Sequence, residues 1–430
     1  MKFLVGENSM LGPIYRYCGI LLLTIVVGAC SSDGMSTDEL NDHAARYTAA
    51  WNSGDPATVA MFFSENGSLK VNDAAPAVGR EAITDVARGF MTAFPDMKLE
   101  MRELKVADES IQYHWRFTGT NTGPGGLGAA VDFSGYEEWT FGEDKLVVES
   151  LGYFDNDEYL AQLNTPRSLT PDSSDADIVA HMLQHERNQT RTDALSVNFP
   201  DMTRERAYAI QRLRLEQTAS DTDQLAGWKL GWTRMADPKE PLDPIVGHYL
   251  QSKVFPRNEP VSTRHFTEGR AAAEPEIVFY LNKDLPGPTV TRAEVIDAIE
   301  SAGIAMEFVG WRTTEFPTRE EAIIDNGIAA GVILADRRLN VADLDFSKID
   351  GSVTVNSAET STGRSTSIMG RDPVEGLVWA ANELPKYGMH LKAGQFVVSG
   401  TVTVPLQVSA GDSASVAFTG LGSVAATFAE

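Results

Sequence analysis

The nine residues Ala273-Glu274-Pro275-Glu276-Ile277-Val278-Phe279-Tyr280-Leu281 restrict the possible folds more than any other stretch of the chain. Two carboxylates flank a proline, and an apolar, β-prone run follows. Side chains alternate along an extended backbone, so Glu274 and Glu276 point the same way. Pro275 fixes its own φ and biases Glu274 towards an extended conformation. Two carboxylates side by side at a strand mouth repel unless a cation lies between them. Hard oxygen ligands of this kind suit Mg²⁺, Mn²⁺ or Ca²⁺. A bare Glu-x-Glu is also an ordinary solvated strand start, so the flanking sequence decides.

At 430 residues the chain exceeds one ordinary domain, and two are expected. A net charge of -24 excludes nucleic acid as a partner, because phosphate binding needs a basic patch. The two cysteines, Cys18 and Cys30, both fall in the first thirty residues, which excludes a disulfide framework. Tyr15-Arg16-Tyr17, the apolar run Ile20 to Val27 and Gly28-Ala29-Cys30 form a charged start, a short apolar segment and small residues before a cut. Residues 1–29 therefore read as an export signal, too short to remain as a bilayer span. Val27-Gly28-Ala29-Cys30 resembles a bacterial lipobox, which implies diacylation of Cys30 and a membrane anchor, since two acyl chains hold stably. Ser31 after that cysteine implies the outer membrane and its periplasmic face. Glu7 is unusual so early in a signal, and Met10 offers an alternative start.

Residues 37–163 read as a small α+β module: helix from Leu40 to Phe63, broken by Trp51-Asn52-Ser53-Gly54-Asp55, then antiparallel strands. Ser110 to Thr118 alternates strictly, with Ile111, Tyr113, Trp115 and Phe117 on one face. Val131 to Phe141 and Leu146 to Tyr153 are two further strands around a Gly142-Glu143-Asp144-Lys145 turn. Trp51 to Asp55, Ala93-Phe94-Pro95-Asp96, Trp115 to Thr120 and Gly152-Tyr153-Phe154-Asp155 resemble the SnoaL-like polyketide cyclases, which have a curved-sheet cone fold. That resemblance implies Asp155 as an acid/base, although Glu149-Ser150-Leu151 replaces the usual preceding His-Trp pair.

Residues 164–176, with Pro166, Pro171 and many small polar residues, read as a linker. In residues 177–430, His181 and His185 lie four apart on a helix, a zinc-compatible spacing without a third ligand nearby. Thr203 caps a helix. Gly227-Trp228-Lys229-Leu230-Gly231 sets a lysine among apolar groups, where lost solvation lowers a lysine's pKa towards proton transfer. Thr291-Arg292-Ala293-Glu294 is a capping box for a helix ending near Gly303. Ile304 to Val309 is then an apolar strand carrying Glu307, and a buried carboxylate of this kind needs a partner.

Ala207-Tyr208-Ala209-Ile210-Gln211, Gly227 to Gly231, Glu274-Pro275-Glu276, Asp284-Leu285-Pro286-Gly287 and Met306-Glu307 come in a telling order. Asp325-Asn326, Leu391-Lys392-Ala393-Gly394 and Ser399-Gly400-Thr401 complete the set. Together they resemble the fumarylacetoacetate hydrolase superfamily, in its 2-keto-4-pentenoate hydratase and 4-oxalocrotonate decarboxylase branch. The resemblance implies a mixed β-roll, with Glu274, Glu276 and Glu307 as ligands of Mg²⁺ or Mn²⁺ and Lys229 in the active site. It further implies that Leu230, Asn326, Ser399, Gly400 and Thr401 lie beside a 2-oxo acid substrate, in a homo-oligomer. The family's acid after the lysine is displaced here to Asp243, and Val309-Gly310-Trp311-Arg312 departs from the usual strand. The resulting expectation is a metal-dependent hydro-lyase, with a decarboxylase or a non-catalytic, lipid-anchored binding protein as alternatives.

Overall fold

The computed structural model describes residues 35–107, 110–124, 126–235 and 242–430, so the export signal and Cys30 lie outside the described residues. The chain divides into two compact units, residues 1–165 and 166–430, and both are α+β.

In the first unit, helix α1 (Thr37–Trp51) begins with a Ser36/Glu39 capping box, and α2 (Pro56–Ala60) begins under an Asp55 cap with proline in its first turn. Strands β1 (Phe63–Val71), β2 (Ala77–Val78), β3 (Lys98–Ala107), β4 (Ser110–Asn121), β5 (Ala129–Phe141) and β6 (Val147–Phe154) form one sheet, ordered β2-β1-β6-β5-β4-β3. Helices α3 (Arg80–Ala93) and α4 (Asn156–Asn164) complete the unit. The expected helix stops short of Phe63, which opens β1 instead. Strands β1 and β3 escape a period-two reading because their registers slip, between Phe63 and Ser68 and between Met101 and Glu103. Ile111, Tyr113, Trp115 and Phe117 of β4 do face the core, as their alternation predicts.

The second unit opens with α5 (Asp175–Asn188) and α6 (Arg204–Thr218), followed by β7 (Leu225–Gly231), β8 (Ile245–Leu250), β9 (Val261–Ser262) and β10 (Ala271–Leu281). After these come α7 (Arg292–Ala298), β11 (Ile299–Val309), α8 (Arg319–Ile324), β12 (Ala329–Leu334), β13 (Asp350–Val355), β14 (Glu359–Arg364) and α9 (Pro373–Glu383). The chain closes with β15 (Phe396–Val398), β16 (Leu406–Val408), β17 (Ser413–Phe418) and β18 (Gly422–Ala429). One sheet runs β12-β11-β10-β15-β7-β8, with β16 also on β10, and a second runs β14-β13-β17-β18-β9. The helix expected up to Gly303 ends at Ala298. From Ile299 onward the chain pairs with β10, Gly303 opposite Val278, so sheet pairing overrides the local helical signal.

Every residue of β10 is buried. Ala273, Ile277 and Phe279 enter the large core, while Val278 and Tyr280 join Tyr249, Ala305, Val332, Phe396 and Val398 on the other face. A strand covered on both faces reads as a continuous apolar run, which is why residues 277–281 carry no polar position.

Candidate active site

Four strands of the curled sheet deliver the site. β10 and β11 pair antiparallel with Glu274 directly opposite Glu307, and β15 sets Val398 beside Lys229 of β7. The curl is shown by Tyr249: it stands on β8, at the far end of the strand order from β11, yet its hydroxyl donates to Glu307 Oε1. Glu274, Glu276 and Glu307 each offer an oxygen within 4.8 Å of the others. Their exposures are 8%, 0% and 0%.

Glu307 Oε1 also receives the Lys229 ammonium at 2.9 Å. Glu276 Oε2 accepts the Gly400 N–H at 2.8 Å. That leaves Glu276 Oε1 and Glu307 Oε2 buried without a hydrogen-bond partner. Burial, then the nearby Glu307 carboxylate, pushes Glu274 up to about 8, and the same two causes raise Glu276 well above the usual carboxylate range. Hard oxygens converging from three carboxylates, two of them partnerless, fit a divalent cation such as Mg²⁺ or Mn²⁺.

Lys229 corrects the expectation drawn from its apolar neighbours. Burial works to lower its pKa, but Glu307, Glu274 and Glu276 overcome that, and the net direction is upward. The lysine is therefore held charged. Space for its stem comes from glycine: a Cβ on Gly247 would stand 2.9 Å from Lys229 Cγ, and Gly327 packs on the same stem.

The remaining expected residues divide by position. Leu230 and Thr401 line a cavity of about 550 Å³ shared with Lys229 and Glu274. Ser399 lies beneath it, its hydroxyl accepting the Ile277 N–H, and Gly400 forms the turn that reaches Glu276. Asn326 clamps the β8 backbone through both the N–H and the carbonyl of His248, each at 2.9 Å, so it positions the lysine's surroundings. Asp243 lines the cavity mouth, but its carboxylate is paired with Arg204 at 2.7 Å rather than with Lys229. The lysine's acidic partner is Glu307. His181 is bonded to the Arg167 carbonyl and Thr192, and His185 to Thr190, which accounts for both without zinc.

Asp155 lies at a helix start. It is the exposed N-cap of α4 and accepts the Asp157 and Glu158 N–H groups. Among the described residues of that unit, the buried carboxylate is Glu137, which accepts from Tyr47, Trp139 and Ser150 and which burial pushes upward in pKa. Sequence reasoning missed Glu137 because it sits at an ordinary alternating strand position, and Tyr249 because it sits in a continuously buried strand, where a tyrosine reads as core. It also missed Trp232, Arg234, Trp311 and Arg319 of the cavity, which come from separate loops and a helix start.

The family described as Fumarylacetoacetate (FAA) hydrolase C-terminal matches residues 218–429. The 2-oxo-hept-4-ene-1,7-dioate hydratase of Escherichia coli is 30% identical over 260 residues, 58% of this chain and 96% of that protein. The chain belongs to the fumarylacetoacetate hydrolase family. The 2-hydroxyhexa-2,4-dienoate hydratase of Comamonas testosteroni is similar at 28% identity over 239 residues, 55% of this chain and 90% of that one. Among solved structures of the family, 4-oxalocrotonate decarboxylase from Pseudomonas putida G7, complexed with magnesium and adipate, is 26% identical with a TM-score of 0.54. That match covers 61% of this chain and 99% of the decarboxylase. Residues 41–163, outside the family's region, match the SnoaL-like polyketide cyclases.

Proposed function

We propose that residues 166–430 form a divalent-metal-dependent lyase acting on a 2-oxo (2-hydroxydienoic) acid, a hydratase of the 2-keto-4-pentenoate type. The observation that carries this reading is the buried carboxylate trio with two partnerless oxygens and a charged lysine against it. Glu274, Glu276 and Glu307 would hold Mg²⁺ or Mn²⁺, which when bound supplies Lewis-acid polarisation of the 2-oxo group. Lys229 would donate a proton to a substrate atom at the trio and take it back, a role supported by its ion pair with Glu307, which favours the charged form. Leu230, Trp232 and Trp311 give the cavity apolar walls that keep bulk water from the reacting atoms. A decarboxylation of the 4-oxalocrotonate type makes the same demands on these residues, and the 4-oxalocrotonate decarboxylase of Pseudomonas sp. strain CF600 is 27% identical. The relatives' names include both a dioate and a monocarboxylate substrate, which leaves the far end of the substrate open.

Titration calorimetry with Mg²⁺ tests the reading. Wild type from Ser31 onward is expected to bind the ion, and oxalate only in its presence, while Glu276→Gln weakens ion binding at least about tenfold. Wild-type protein that binds no divalent cation would overturn the lyase reading and favour a non-catalytic binding protein. Turnover then separates the two lyases, since only the decarboxylase releases carbon dioxide.

The reading extends to a lipid anchor at Cys30, on the periplasmic side of a bacterial outer membrane, supported by the sequence of residues 15–31. Cys30→Ala is expected to move the protein from the membrane to the soluble fraction, and an unchanged distribution would refute the anchor. A homo-oligomer, supported by family resemblance alone, is checked by sedimentation.

A further inference from the structure

The cavity above the carboxylate trio has a second chemical character at its other wall. Its floor is acidic, with Glu274 against Lys229, but the wall carries Arg234 and Arg319, backed by Trp232, Trp311 and Phe316. The Arg319 guanidinium lies over the Trp232 ring, 4.4 Å from its centroid, which fixes its plane without using its donors. Its nearest carboxylate, Asp243, is 3.7 Å away, beyond hydrogen-bond reach, and is already held by Arg204 at 2.7 Å. Arg319 also sits in the first turn of α8, where a cation opposes the helix dipole, so the position does not serve the helix. Arg234 is exposed and forms no ion pair among the described residues, yet its charge reaches Glu274.

The polar atoms left without partners at this wall share one property. Arg319, Trp311 and Thr403 line the cavity, and each holds one buried polar atom without a hydrogen-bond partner: Nε, Nε1 and Oγ1. Each can donate. A wall of unused donors and surplus positive charge lacks an anionic acceptor, and a guanidinium fork matches a carboxylate in shape and charge.

We propose that this wall is a subsite for a second carboxylate, with Arg319 and Arg234 as the specificity-determining residues, so that the substrate is a 2-oxo dioic acid. The proposal rests on the lyase reading: the trio takes the 2-oxo acid end, the aromatic side chains cover the carbon spacer, and the arginines receive the far end. Charge balance agrees. A divalent cation and Lys229 offset the three floor carboxylates, which leaves the two arginines against the two carboxylates of a dioate.

The test compares 2-oxoadipate with 2-oxohexanoate, six-carbon acids that differ only in their far end, by calorimetry in the presence and absence of Mg²⁺. Neither has the conjugated alkene, so both report binding alone. Wild type with Mg²⁺ is expected to bind 2-oxoadipate at least about tenfold more tightly. Arg319→Met, and more completely Arg319→Met with Arg234→Met, is expected to remove that preference, with 2-oxoadipate affinity falling to that of 2-oxohexanoate or below. Arg319→Lys should restore part of it. Equal, Mg²⁺-dependent binding of both acids by wild type would overturn the subsite and leave the lyase reading standing. A preference that survives in the double variant would overturn the assignment to these arginines. Binding of neither acid in Mg²⁺ would sink the lyase reading itself, and the subsite with it.

Discussion

Ionised together, Glu274, Glu276 and Glu307 carry three negative charges against the single positive charge of Lys229, and all four groups are buried. A divalent cation would bring the cluster to neutrality. In its absence protons do part of that work, which is why burial and then Glu307 push Glu274 up to about 8. The sign of the pH dependence follows. Below that value the ion must displace a proton from a ligand, so Mg²⁺ affinity is expected to rise from about pH 6 towards 8. Proton release on binding should appear as a dependence of the calorimetric heat on the buffer's ionisation enthalpy. An affinity flat across that range would contradict this account. The carboxylates and the lysine were legible from their own residues and the motifs around them. The charge state of Lys229 was not, because its neighbours in sequence are apolar and its neighbours in space are acids from β10 and β11.

At the scale of elements, the loop between β15 and β16 is what fastens the trio. Gly400 has φ +90°, and a Cβ there would lie 1.9 Å from Thr233 Oγ1 and 3.0 Å from Thr233 Cβ. Gly400→Ala is expected to cost about 2 kcal/mol or more of stability by clash and strain. By pulling the N–H off Glu276 it should also weaken Mg²⁺ binding about tenfold, checked by denaturant unfolding beside the same titration. Pro275 fits a central strand for a related reason. On one side β16 pairs with residues 271–273 and β15 with 278–280, and the gap between is filled by Ser399 and Gly400, so the missing N–H breaks no ladder bond. The helix starts at Thr203 and Thr291 were readable because a cap is a local device written in three or four residues. The end of α7, the bulged β1 and β3 and the curl that brings Tyr249 to Glu307 depend on partners distant in sequence, which no short window contains.

At the scale of the whole molecule, the core of residues 35–165 and that of residues 166–430 are separate clusters, and the carboxylate trio belongs to the second alone. Calorimetric melting is therefore expected to show two transitions, with saturating Mg²⁺ raising only the one from the second unit. A shift in both, or a single merged transition, would contradict that assignment. The parallel pairing of β7 with β15 has a further consequence. It joins residues 227–229 to residues 396–398, so the lysine's strand, paired early with β8, gains its second neighbour only after almost the entire chain has been made. A nascent chain thus has no finished ion-binding cage, and closing so long a loop is slow. Completion of the cage is therefore expected late in folding, and a divalent cation held there would slow unfolding rather than template the emerging chain.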